Sequence, residues 1–242
     1  MAFWAVASLL CLATLGWISY QVTTSSEAAA AAGANDVPVA LRSAGTEAGT
    51  ETDSKNVRVE CTITTPHSAN PNQSDVANGK FHILVRSDAA PRASAAFVGL
   101  VRSGYYSGVY FHRVVQNFVA QFGINSTFPA QQRPPRTQDM GPDPVLPSSL
   151  SNVRGTVSFA GGNMHLGQVF INLGNNKRLD RDNHDDGSTR PFGIVSQDDM
   201  PLVDKIYTGY KEGSGQVKAV KNSDVASQFP EMSRIEECHV VE

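Results

Sequence analysis

Tyr110-Phe111-His112-Arg113-Val114-Val115-Gln116-Asn117-Phe118-Val119-Ala120-Gln121-Phe122-Gly123 is the stretch on which the reading of this chain turns. Its first half is aromatic and β-branched, which makes residues 110–115 a predicted strand, and residues 118–121 read as a second short strand. Arg113 is the odd member, because Arg is seldom buried without a partner or a task. A floor of apolar side chains beside one guanidinium and one amide, Gln121, can hold a small apolar ring and hydrogen-bond the backbone on either side of it.

Two further segments add to this one. Gly155-Thr156-Val157-Ser158-Phe159-Ala160-Gly161-Gly162 is followed by Gly167-Gln168-Val169-Phe170-Ile171-Asn172. Arg178-Leu179-Asp180 is followed by Pro191-Phe192-Gly193-Ile194-Val195. In content, order and spacing the three resemble the signature segments of cyclophilin-type peptidyl-prolyl cis-trans isomerases, and the resemblance covers residues 56–242.

The resemblance implies roles. Arg113 matches the family's catalytic arginine. Phe118, Val119, Phe170 and Leu179 match the lining of its proline pocket. Gln121 matches the glutamine that hydrogen-bonds the substrate backbone, and Gln168 a polar position at the pocket's border. Ala160 and Gly161 match the stretch whose backbone holds the residue before proline. The activity so implied needs neither cofactor nor metal, and its partners are proline-containing peptide segments. Phe111 and His112 read as strand packing.

The chain also departs from the family's pattern. Phe122-Gly123 stands where Gly-Gly is usual, and Arg178 stands where members that bind cyclosporin well often carry Trp. Losing an indole donor and a flat apolar face implies weak cyclosporin binding. His184, in a longer loop, is the one candidate for the family's pocket histidine. That loop, Asp180-Arg181-Asp182-Asn183-His184-Asp185-Asp186-Gly187, is acidic but fails the EF-hand pattern and reads as solvated. Cys/His zinc spacing is absent.

Composition sets the outer bounds. The 242 residues suffice for one domain of ordinary size and an appendage, and 40% hydrophobic with 18% charged residues suits a globular core. A net charge of −3 gives no basic footprint, so nucleic acid is not an expected partner. Twenty glycines and thirteen prolines favour a turn-rich, mainly β fold. Predicted strands at 57–65, 81–85, 110–115, 118–121, 157–160, 169–173, 192–195 and 235–241 come with helices at 90–101 and 200–207. Residues 126–152 read as a long loop. Many short strands with two helices indicate a closed β-barrel with helical caps, and the resemblance implies the same architecture as an eight-stranded antiparallel barrel.

The first quarter lies outside that fold. Residues 2–20 form a nearly continuous apolar run, and no charged side chain occurs before Glu27. About 20 apolar residues span a bilayer core, and Trp17 and Tyr20 suit its interface. Residues 1–22 therefore read as a signal-anchor or a cleaved signal peptide. Either places the rest in the secretory pathway, as a lumenal domain on a membrane anchor or as a secreted protein. Residues 23–55 carry few large apolar side chains and read as a flexible linker, which leaves 56–242 as the folded domain.

Cys61 and Cys238 fall in the first and last predicted strands, which are neighbours in cyclophilin-like barrels. In an oxidising lumen they are either a disulfide or two unpaired strand cysteines, and strand register decides between the two. Asn72-Gln73-Ser74 and Asn125-Ser126-Thr127 are glycosylation sequons. Two rivals to an isomerase remain at this level. One is a non-catalytic cyclophilin-like module that binds proline peptides as a scaffold or chaperone. The other is a small-ligand carrier barrel, which the charged Arg113 disfavours.

Overall fold

Inward-facing side chains on every second residue set the frame. In β1 (Val57–Thr64) Val59, Cys61 and Ile63 are buried, and in β2 (Gly79–Val85) so are Phe81, Ile83 and Val85. That is the period-two signature of a strand with one face on a core. The computed structural model describes residues 56–66, 78–133, 143–162, 164–180, 190–211 and 224–241. The chain divides into two units, residues 1–49 and 50–242, and every described residue lies in the second. The apolar run, the linker, the Asn72 sequon and the acidic loop at 181–189 lie outside the described residues. Among those described, no helix is long and apolar enough to cross a membrane.

Six further strands complete one antiparallel sheet: β3 (Arg113–Val115), β4 (Val119–Phe122), β5 (Thr156–Phe159), β6 (Val169–Asn172), β7 (Gly193–Val195) and β8 (Arg234–Val241). Their order is β3-β4-β6-β5-β7-β2-β1-β8. All eight predicted strands are present, but the expected closed barrel is a curled sheet with two edges. The expected third strand is interrupted, since only Arg113–Val115 is ladder-paired, and Tyr110 makes a single bridge to Arg234. Separate backbone bonds tie this irregular stretch to β8, Phe111 N to Ser233 O at 2.9 Å and Ile235 N to Val109 O at 2.8 Å. The two edges meet through these few bonds rather than through a continuous ladder.

Phe81, Phe97, Phe111, Phe122, Phe159 and Phe192 fill the concave side and are at most 2% exposed. α1 (Pro91–Arg102) caps this core. Its Phe97 ring lies 4.9 Å from Phe192 and 5.3 Å from Tyr106. Pro91 starts the helix as expected, but Ala90 at its N-cap offers no side-chain acceptor. The cap comes from a distance: the buried Asp143 carboxylate accepts from Arg92 N at 2.7 Å and Ala93 N at 3.0 Å. The second expected helix, 200–207, is shorter. α2 (Met200–Val203) follows a 3-10 turn at Gln197–Asp199, and i to i−3 bonds from Lys205 and Ile206 end it. A third short helix, α3 (Val225–Gln228), precedes β8.

β1 pairs with both β2 and β8. In the β1–β8 register Cys61 lies directly opposite Cys238, with Cα atoms 4.1 Å apart and the two sulfurs joined in a disulfide. This register is the information that spacing along the chain could not supply.

Candidate active site

The β3–β4 hairpin turns through Gln116, Asn117 and Phe118. Asn117 adopts φ 58°, a left-handed conformation that Asn tolerates better than most side chains. The turn sets a register in which Arg113 faces Gln121, and Gln121 in turn faces Phe170 on β6. Directly opposed residues in antiparallel strands share a sheet face, so the three side chains stand side by side. Arg113 Nη1 donates to Gln121 Oε1 at 3.5 Å, and Gln121 Nε2 donates to Gln168 Oε1 at 3.0 Å. Gln168 also hydrogen-bonds the His112 ring.

This face is not the core. Val114, Ala120, Phe122, Val169 and Ile171 alternate with the site residues and belong to the interior cluster, whereas Val119 and Phe170 lie outside it. Both are nonetheless at most 5% exposed. A half-buried Phe118 at the end of the hairpin turn joins them, one residue before the strand on which it was expected. The convex side of β3–β4–β6 therefore carries apolar side chains beside a guanidinium and two amides. Phe118 and Phe170, which could equally have been core residues, are on the convex side.

Ala160 and Gly161 follow β5, and Ala160 N donates to Gln168 O at 2.8 Å. Gly161 adopts φ 61°, and its exposed backbone lies at the Gln168 end of β6. At the opposite end of β6, Leu173 N and Asn176 Nδ2 both donate to Phe118 O, at 2.8 and 2.7 Å. The 3-10 turn Lys177–Asp180 follows and carries the half-buried Leu179. Its far end is fixed by Asp180, which accepts from Ser151 Oγ, from Asn152 N at 2.8 Å and from Asn152 Nδ2 at 2.9 Å. Burial alone would raise the Asp180 pKa, but these donors outweigh it and hold the carboxyl below its ordinary value.

Three features were not anticipated. His112, read as strand packing, is buried behind the site and touches it through Gln168. Burial, with the Arg113 cation adding to it, pulls its pKa down to about 4, so the ring is neutral at neutral pH. Phe122 explains the departure from Gly-Gly. Its side chain enters the interior, 5.0 Å from Phe111 and 5.5 Å from Tyr106, while Gly123 takes a positive φ of 97° just past β4. A Cβ at Gly123 would lie 2.3 Å from Gly167 O, so this is a close backbone approach that only glycine permits. Tyr105 OH lies 2.8 Å from both Gly123 O and Leu166 O, and its single proton, donated to either carbonyl, ties the β4 end to the turn before Gln168. Arg178, finally, stands over the Phe118 ring with its Cζ 4.7 Å from the centroid, while Arg113 Cζ is 5.3 Å from the same centroid.

Asn125 Nδ2, the atom a glycan would need, donates to Tyr105 O at 2.8 Å. Among the described residues no group of His, Cys, Asp and Glu is arranged to hold a metal.

Comparison with known proteins gives the family. The model of the cyclophilin type peptidyl-prolyl cis-trans isomerase/CLD family matches residues 72–239. Peptidyl-prolyl cis-trans isomerase A of Dickeya dadantii is 31% identical over 155 residues, 62% of this chain and 77% of that protein. A peptidyl-prolyl cis-trans isomerase of Acinetobacter baylyi is 31% identical over 134 residues, 53% of this chain and 66% of that protein. The crystal structure of the Mimivirus cyclophilin aligns with a TM-score of 0.47 at 16% identity, over 77% of this chain and 90% of that one. The chain belongs to the cyclophilin-type peptidyl-prolyl cis-trans isomerase family, and its activity is rotation about X–Pro peptide bonds.

Proposed function

We propose that the convex face of β3–β4–β6 binds an X–Pro segment and lowers the barrier to its rotation through Arg113. The supporting observation is the rung Arg113–Gln121–Phe170, which sets a permanent cation beside an amide and an apolar wall on one sheet face. An X–Pro bond is only slightly biased to trans, but it rotates slowly because its C–N bond has partial double-bond character. Halfway through the rotation that character is lost, the proline nitrogen becomes pyramidal and its lone pair localises. A group that donates to the twisted form more strongly than to either planar form accelerates both directions.

Arg113 is suited to this, with five donors and a charge that is always present. The proline ring sits against Phe118, Val119, Phe170 and Leu179. Gln121 bonds the substrate backbone, Gln168 holds Gln121 in place, and the Ala160–Gly161 backbone carries the residue before proline. The substrates are proline-containing segments of proteins in the secretory pathway, and residues 1–22 are the membrane anchor or the cleaved leader that takes the domain there. Cyclosporin binds weakly, since a guanidinium covers Phe118 where the best binders carry an indole.

Exchange NMR on a short X–Pro peptide tests this reading. Catalytic amounts of the full chain are expected to bring cis/trans exchange from its uncatalysed tens of seconds to below one second. A folded protein that binds the peptide without accelerating exchange would instead make this a binding module.

A further inference from the structure

Arg178 is the cation at the site that the catalytic reading does not use. We infer that it selects substrates by charge and favours X–Pro segments that carry an acidic residue one or two positions after the proline. This inference rests on the isomerase reading and adds a substrate preference to it.

The position of Arg178 is built rather than incidental. The turn that bears it is tied at one end to Phe118 O through Leu173 and Asn176, and at the other to Asn152 through Asp180. Asn176 is itself only 4% exposed and also donates to Asn172 Oδ1 at 2.7 Å, so the tether is internal to the fold. Gly174 presses against the hairpin turn, where an added Cβ would meet Asn117 O at 2.2 Å. The turn and the Phe118 ring are thus held as one unit, with the exposed Arg178 guanidinium resting on the ring.

Polarity along the groove follows from β6. Ala160 bonds Gln168 at the start of this strand, Phe170 is at its centre, and Leu173 bonds Phe118 just past its end. With the residue before proline on the Ala160–Gly161 backbone and the proline ring against Phe170 and Phe118, the chain after proline leaves toward Arg178. A strand-like segment advances about 3.3 Å per residue, so the first or second residue after proline comes within reach of a long guanidinium side chain. Among the described residues around Phe118, the uncommitted charges are cationic. Arg113 and Arg178 both face Phe118, Lys177 precedes Arg178, and the acid of the same turn, Asp180, is committed to Ser151 and Asn152. Among the described residues no carboxylate is paired with Arg178. An Asp or Glu side chain entering this end meets two guanidinium groups, and a Lys meets repulsion.

Three peptides identical except for Glu, Gln or Lys after the proline test the inference on the full chain. Expected is a kcat/KM order of Glu above Gln above Lys, with roughly two- to fivefold steps, the size of an exposed ion-pair interaction. The steps should shrink on raising salt to about 1 M, where screening shortens to about 3 Å. Arg178→Gln should flatten the order and Arg178→Glu should invert it. The readout is the ratio between peptides, so a general loss of activity in a variant does not mimic the result. Equal rates for the three peptides, or an order unchanged in Arg178→Glu, would overturn the inference and leave the isomerase reading standing. Absence of acceleration for all three would remove the isomerase reading itself.

Discussion

Arg113→Ala is expected to lower kcat/KM for a proline peptide by roughly 10²- to 10³-fold, the range seen when one preorganised donor to a transition state is removed. The dissociation constant should change by less than about tenfold, because Phe118, Val119 and Phe170 supply most of the apolar contact and keep their places in the sheet. This split between rate and affinity marks a group that acts on the twisted amide rather than on the bound ground state. Arg113→Lys should restore only part of the activity. The charge returns, but the planar fork that reaches Gln121 and the substrate together does not. Exchange NMR gives the rate and titration calorimetry the affinity. An Arg113→Ala protein within threefold of the wild type would remove Arg113 from the mechanism.

The second large effect is on stability. Cys61 and Cys238 are 177 residues apart in sequence, so their bond closes nearly the whole domain into one loop in the unfolded chain. Chain-entropy reasoning gives close to 5 kcal/mol for a loop of this size, and removal of a native disulfide typically costs about 2–5 kcal/mol. Replacing both cysteines by Ala, rather than Ser, avoids leaving hydroxyls at positions that are 0% and 6% exposed. The double variant should lose about 2–5 kcal/mol in urea unfolding, and the wild type should lose a similar amount in reductant. β1 and β8 are also joined by a backbone ladder from Arg58 to Thr64, so the variant should fold and keep its isomerase activity at low denaturant. A loss below about 0.5 kcal/mol would show that the bond contributes little.

Both predictions depend on contacts that differ in how far they could be read from the chain. β1 and β2 were legible because their apolar residues alternate, the shorter strands because they are runs of β-branched and aromatic residues, and the Arg113–Gln121 hairpin because both halves lie within one short stretch. Closure was not legible. The stretch around Tyr110 is rich in strand formers, yet its partner, Arg234, is more than a hundred residues away and meets it at one bridge. The same limit hid the Asp143 cap on α1, since a local N-cap was all that neighbouring residues could suggest and Ala90 cannot provide one. α2 is shorter than its sequence suggests, since Met200 to Tyr207 is apolar at helical spacing but tightening of the last bonds ends the helix at Val203.

In the site, resemblance named the residues, but which face they occupy required the register. Phe170 and Ile171 are adjacent in sequence, and only pairing puts one on the outer face and the other in the core. Arg178 was visible only as a departure from a pattern. Its stacking on Phe118 depends on the Asn176 and Asp180 anchors, which no local signal announces. A histidine in an aromatic strand is usually packing, which is how His112 reads in the sequence. It is packed, and its link to Gln168 gives that packing a place in the site's hydrogen-bond chain.

The central claim is that substrate lies on the convex face of β3–β4–β6, and the most direct measurement is an NMR titration of the isotope-labelled full chain with an X–Pro peptide. The account predicts that the side-chain signals of Arg113, Gln121 and Gln168 and the backbone amides of Phe118, Ala160, Gly161 and Phe170 move together with peptide concentration. Binding that shifts β1, β2 or β8 while Arg113, Gln121 and Phe170 stay still would contradict it.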